Sequence, residues 1–175
     1  DCCQNHAVTA ETRNQKPETT TLPPFSPFQP NHDLCAMNSP HVKLELLAPA
    51  RDLSAGLAAI NSGADAVYIG GPGFGARAAA GNPVADIATL AAYAHQFGAR
   101  VYGTVNTLLT DEQMPEAVAL IHQLYDAGVD AVIIQDAGLL VQPLPPLPLH
   151  ASTQFNNFTP AKVKFLEQAG VSRVV

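Results

Sequence analysis

Four glycines constrain this chain more than any other feature. Gly63, Gly98, Gly128 and Gly170 each close a stretch with helical apolar spacing. Each is followed within a few residues by a short aliphatic run: Ala-Val-Tyr-Ile, Val-Tyr-Gly-Thr-Val, Ala-Val-Ile-Ile and Val-Val. A glycine just past a helix supplies the left-handed residue that a C-cap needs. A helix that ends and hands over to a buried strand, again and again, implies parallel pairing through right-handed crossovers. The spacing predicts strands over 44–48, 65–70, 100–106, 130–135, 147–151 and 172–175. It predicts helices over 52–62, 83–97, 111–127 and 159–169, with a short helical turn near 137–142. Repeats about 30–40 residues apart with short strands fit an α/β fold of the (β/α) TIM barrel type better than an open doubly wound sheet.

A complete barrel takes about 250 residues, and this chain has 175. The expectation is a barrel truncated in about its sixth strand, unable to close, with apolar edges on its first and last strands. Composition agrees with strands buried on both faces: 47% of residues are hydrophobic and only 14% charged. Tryptophan is absent, so aliphatic side chains must fill the interior. The net charge of −6 argues against wholesale nucleic-acid binding through a basic face, although it leaves room for a local RNA-contacting patch. No stretch approaches the roughly 20 apolar residues of a membrane span, and no basic-then-apolar signal opens the chain. The expected location is the cytoplasm.

Residues 1–36 differ in kind. They are rich in Thr, Pro, Asn and Gln, include the run Leu22-Pro-Pro-Phe-Ser-Pro-Phe-Gln-Pro30, and show no apolar period. Such a segment cannot bury enough surface to offset its ordering entropy. Residues 1–41 are therefore expected to be a disordered leader or upstream extension ahead of a domain over 42–175, with Met37 as the natural start. A proline-rich ligand for a partner is the other reading of this run. Cys2, Cys3 and Cys35 form neither a disulfide framework nor a metal-site spacing, and no role is expected of them.

In a parallel barrel the chemistry gathers where strands end. The second strand runs into Gly71, Gly73 and Gly75, interleaved with Pro72 and followed by Arg77. Glycines let backbone N–H groups approach a ligand, and Arg77 offers a planar fork for a carboxylate or phosphate. Alternatively, Arg77 pairs with an acidic neighbour. Asn106 ends the third strand, where it either faces a ligand or satisfies loop backbone. Gln135 and Asp136 end the fourth, as site residues or as a cap for the turn that follows. His150, Ser152 and Gln154 lie in the polar stretch at the end of the fifth, and a structural role for His150 stays open. Arg51, after the first strand, reads as a solvated helix-start residue or a second rim cation. A Ser152–His150–Asp136 triad lacks a nucleophile elbow and an oxyanion hole. No zinc motif is present, and the glycine turn alone is weak evidence for a dinucleotide.

The words at these strand ends resemble a known family. Glu45-Leu-Leu-Ala-Pro-Ala50, Gly63-Ala-Asp-Ala-Val-Tyr-Ile-Gly-Gly71, Phe74-Gly-Ala-Arg77, Val105-Asn-Thr107, Val129-Asp-Ala-Val-Ile-Ile-Gln-Asp136 and His150-Ala-Ser-Thr-Gln154 occur in that order. The chain is similar over 42–175 to the peptidase U32 family, often labelled collagenase-like proteases. It most resembles the branch that hydroxylates a cytidine of 23S ribosomal RNA. That resemblance implies a (β/α) barrel with further C-terminal regions, and an iron–sulfur cluster on cysteines beyond the sixth strand. It also implies oxygen-independent hydroxylation linked to prephenate, with ribosomal RNA or its precursor as partner. Residues 37–175 contain no cysteine, so this stretch is expected to bind no cluster and to be inactive alone. In the whole protein, Arg77 would meet an anionic group of RNA or prephenate, and Asn106, Gln135, His150 and Gln154 would line the pocket. The competing readings are a peptidase, as the family label says, and a non-catalytic partner subunit such as occurs in ubiquinone hydroxylation.

Overall fold

The computed structural model describes residues 44–75 and 81–175, all within the compact unit Lys43–Val175. The expectations for the leader, Met37, the three cysteines and Arg77 fall outside the described residues. Six strands form one sheet in sequence order: β1 Leu47–Ala50, β2 Ala66–Gly70, β3 Arg100–Val105, β4 Ala131–Ile134, β5 Leu149–Ala151 and β6 Arg173–Val174. Every neighbouring pair is parallel. Helices α1 (Leu53–Asn61), α2 (Val84–Gln96), α3 (Met114–Asp126) and α4 (Pro160–Gln168) supply crossovers. Between β4 and β5 the link is instead a 3₁₀ turn, Ala137–Val141, and a proline-rich stretch. The result is the expected α/β sheet, curled as part of a barrel. No helix among the described residues is long and apolar enough to cross a membrane.

The four glycines take the positive φ values that the alternation requires, +95° at Gly63, +68° at Gly98, +84° at Gly128 and +96° at Gly170. Strand residues then alternate between two layers. Val67, Ile69, Val101, Val105, Val132 and Ile134 face the helices and pack with Ile87, Leu90, Ile121 and Leu124. Burying each such side chain stabilises the fold by about 1.5–3 kcal/mol. Gly56 and Gly103 permit close contact in this layer: a Cβ on Gly56 would lie 2.7 Å from a Leu90 methyl, and one on Gly103 2.9 Å from a Leu124 methyl. The alternate residues face inward, where Ala66, Tyr102, Ala131 and Ile133 cluster with Leu47 and Tyr68.

The first strand begins later than its sequence suggests. Leu44 and Leu46 are 85% and 59% exposed, and pairing runs from Leu47 opposite Ala66 to Ala50 opposite Ile69. Asp65 takes over just before the ladder starts, its Oδ2 accepting from the Leu46 N–H at 2.9 Å. Pro49 sits inside β1, opposite Tyr68 of β2. A 3₁₀ turn at Thr153–Phe155, ended by the left-handed Asn156, also lay outside the apolar pattern.

Candidate functional site

The C-terminal strand ends surround a cavity of about 340 Å³. Its lower part is apolar, with Leu47, Pro49, Tyr68 and Ile133. Thr104, Asn106, Ser152, Thr153 and Gln154 supply neutral polar groups, and Gly71, Gly73, Gly75 and Gly81 supply backbone. The strand register brings these groups together. Gly70 stands opposite Thr104, and Thr104 opposite Ile133, so successive inward positions climb to the same mouth.

The glycine wall is held from behind. Asn82, only 6% exposed, donates its Nδ2 hydrogens to the Arg51 and Gly70 carbonyl oxygens, both at 3.0 Å. Its backbone N–H donates to Gly70 O at 3.3 Å. One side chain thus ties the end of β1, the end of β2 and the return of the loop. A Cβ on Gly81 would meet Pro72 Cα at 3.5 Å, an ordinary van der Waals contact between the two ends of this loop. Gly73 has φ +94°, where a side chain would be strained. Gly75 lies beside Thr104, whose Oγ1 a Cβ there would meet at 3.6 Å, an ordinary contact. The Thr107 hydroxyl donates to Phe74 O at 3.4 Å.

Among the described lining residues the charged side chain is Arg51, and its fork is engaged. Nε and Nη2 donate to Asp52 Oδ2 at 2.9 and 2.8 Å, with the Arg51 side chain 82% exposed. Asp52 is also the N-cap of α1 and accepts from the Ala55 N–H at 2.9 Å and the Ser54 hydroxyl at 2.7 Å. These bonds, with the Arg51 fork, hold its carboxyl down to about 2.

The candidates from the sequence therefore separate. Gly71, Gly73, Gly75, Asn106, Ser152 and Gln154 line the cavity. Gln135, Asp136 and His150 do not, and Arg77 lies outside the described residues. Asp136 acts as a staple: Oδ1 accepts from the Gly138 N–H at 2.7 Å and Oδ2 from the Leu109 N–H at 2.9 Å. The Ser152 hydroxyl caps the next turn, accepting from the Gln154 N–H at 3.2 Å. No hydrogen bond joins Ser152, His150 and Asp136, so the arrangement offers no activated serine.

His150 belongs to a second assembly below the cavity. It is 6% exposed, lies edge-on to Tyr102 with ring centroids 4.9 Å apart, and its Nδ1 has no partner. Burial, then the nearby Arg173 charge, hold its imidazole down to about 4, so it is neutral at physiological pH. Beside it Arg173 clasps Glu45 with two bonds, Nη1 to Oε1 at 2.8 Å and Nη2 to Oε2 at 2.9 Å. The Tyr102 hydroxyl donates to Glu45 Oε1 at 2.9 Å. The Arg173 clasp lowers the Glu45 carboxyl, and burial, then the bond to Glu45, raise the Tyr102 phenol.

Sequence reasoning passed over Asn82, Tyr68 and Thr104. Tyr68 and Thr104 had a usable signal, because both sit at inward positions of strands that point their ends at the glycine loop. Asn82 had none, since its two acceptors are backbone carbonyls on other segments. Among the described residues, no three of His, Cys, Asp and Glu converge as metal ligands, and none is a cysteine. The described residues thus do not fit the iron–sulfur cluster that the family resemblance implies.

Residues 51–175 match the model of Peptidase family U32. The chain is 52% identical over 133 residues to the 23S rRNA 5-hydroxycytidine C2501 synthase of Escherichia coli K12, covering 76% of this chain and 20% of that protein. It is 36% identical over 138 residues to tRNA hydroxylation protein P1 of Bacillus subtilis 168, covering 76% of this chain and 32% of that one. The chain thus spans about a fifth to a third of the length of these curated relatives. A solved U32 peptidase superposes with a TM-score of 0.58 at 15% identity, over 75% of this chain and 57% of the other, which speaks for the fold alone.

Proposed function

The chain belongs to peptidase family U32, and from that premise we propose that it is part of an RNA-modifying enzyme that hydroxylates a cytidine of 23S ribosomal RNA. The observation that carries this reading is the 52% identity, over 133 residues, to a 23S rRNA 5-hydroxycytidine synthase. The strand-end cavity supports it, because its size and mixed polarity are those of a small-molecule site. In this reading the chain contributes substrate binding. The apolar lower part of the cavity excludes water, the neutral side chains above it orient the ligand, and Asn82 keeps the glycine wall in place.

The proposal takes RNA as the macromolecular partner, prephenate as the small-molecule co-substrate, and the cytoplasm as the location. The described residues provide no ligand set for an iron–sulfur cluster. The peptidase reading finds no support in the site, where the Ser152 hydroxyl accepts from the Gln154 N–H and has no hydrogen bond to His150 or Asp136.

Nucleoside mass spectrometry of 23S ribosomal RNA from a strain lacking the gene tests the proposal. The 5-hydroxycytidine signal should disappear and return on complementation. An unchanged signal overturns it.

A further inference from the structure

We infer that Phe158 is a stacking platform for a nucleobase of single-stranded RNA, placed on the rim of the strand-end cavity and outside it. The inference rests on the RNA reading above and adds a contact for a nucleotide that flanks the reacting one. The Phe158 ring is 86% exposed, whereas Phe155, three residues earlier in the same loop, turns in and packs against the core. An exposed apolar residue by itself is ordinary on a protein surface. What sets Phe158 apart is how firmly its backbone is held, and where. The Phe155 and Asn156 N–H groups donate to Ser152 O and Thr153 O at 3.0 and 3.1 Å, and the Phe158 N–H donates to Asn156 O at 3.0 Å. Asn156 ends the 3₁₀ turn with a left-handed φ of +60°. The Asn157 side chain donates to Ser152 O at 3.0 Å and to Val175 O at 3.3 Å. Ser152 and Val175 both line the cavity, so the residue next to Phe158 is bonded to the cavity wall.

A ring held in water by a fixed loop loses little conformational freedom when a flat partner covers it, and it gains the apolar burial that its own fold withholds. Nucleobases are such partners, because every base has a π-face and stacking on an aromatic side chain tolerates any sequence. The charge around Phe158 fits a polyanion as well. The chain as a whole carries −6, yet from Ala137 to Leu166 it has no acidic residue, and Lys162 and Lys164 fall in that stretch. Both lie in the first part of α4, directly after the loop. Lys162 also braces the loop, its ammonium donating to Phe155 O. An aromatic face beside cations is the pairing that sites for single-stranded nucleic acid use, the ring for a base and the cations for the backbone. An apolar protein surface would also cover the ring, but it would gain nothing from the two lysines.

Fluorescence anisotropy of the intact protein with a labelled, unstructured single-stranded RNA tests this. Phe158→Ala should weaken binding roughly five- to a hundredfold, the worth of one base–aromatic stack, with an unchanged melting midpoint. Phe158→Trp should keep the affinity, and its indole emission should be quenched as RNA is added. An RNA affinity that Phe158→Ala leaves unchanged overturns the platform. So does a lowered midpoint or an alanine variant that fails to fold, because the ring would then be packed against other polypeptide. Those results would leave the enzyme function standing if ribosomal 5-hydroxycytidine still depends on the gene. Loss of that dependence removes the function whatever Phe158 binds.

Discussion

The upper and lower ends of the same inward strand face have opposite chemistry. At the top, Thr104, Ser152 and Gln154 surround open space with neutral groups. At the bottom, Glu45, Arg173, Tyr102 and His150 fill the interior with a bonded network. Both ends use consecutive inward positions of the same strands: Tyr102 and Thr104 on β3, and His150 and Ser152 across the end of β5. Two residues along a strand is enough to pass from a structural plug to a cavity wall. The plug also joins residues 128 positions apart, since Glu45 precedes β1 and Arg173 lies in β6. In barrels the bottom serves stability and the top serves chemistry, and this molecule divides its polar residues accordingly.

That division can be broken from below first. His150 is neutral in the fold and ordinary when unfolded, so the unfolded chain gains protons first as pH falls. Stability should decline from about pH 6.5 to about pH 4 and level off below, a loss of about 3 kcal/mol from this residue. Denaturation across that range should show the slope, and His150→Phe should flatten it. Next comes Arg173→Met, which strips Glu45 of its clasp. Partial exposure moderates the cost to about 2 kcal/mol, and RNA affinity should change little if the two ends are independent.

The upper end is tested by Asn82→Ala, which leaves the Arg51 and Gly70 carbonyls without their side-chain donor. It should cost about 1–2 kcal/mol. Faster amide exchange confined to residues 70–75 and 81–82 would mark it as a positioning residue for the glycine wall; exchange raised equally across β3 and β4 would mark it as a general stabiliser. The smallest effect belongs to Arg51→Gln. Its exposed ion pair should leave the melting midpoint unmoved, and RNA binding should be unaffected. A clear loss of RNA binding would instead give the upper end a working cation.

Several of these distinctions were out of reach of pattern reading. His150 reads as a rim residue because it stands among polar neighbours, yet a strand's pleat sends it to a lower inward level than the cavity residues. Asp136 reads equally as a ligand group or a cap, and only the Leu109 and Gly138 N–H groups around it show the staple. The start of β1 slips because Leu44 and Leu46 look like strand residues, although both are exposed.

Local chemistry alone determined the alternation, the helix ends and the parallel order. A positive-φ glycine after a helix and an aliphatic run after the glycine are short-range signals that need no knowledge of the rest of the chain. The wording of the strand ends also determined the family. Tertiary structure alone decided which polar residues share a cavity, which are spent on capping and stapling, and that Glu45 finds Arg173. Those outcomes depend on strand register and on the curl of the sheet, which bring together groups far apart in sequence and so leave no local trace.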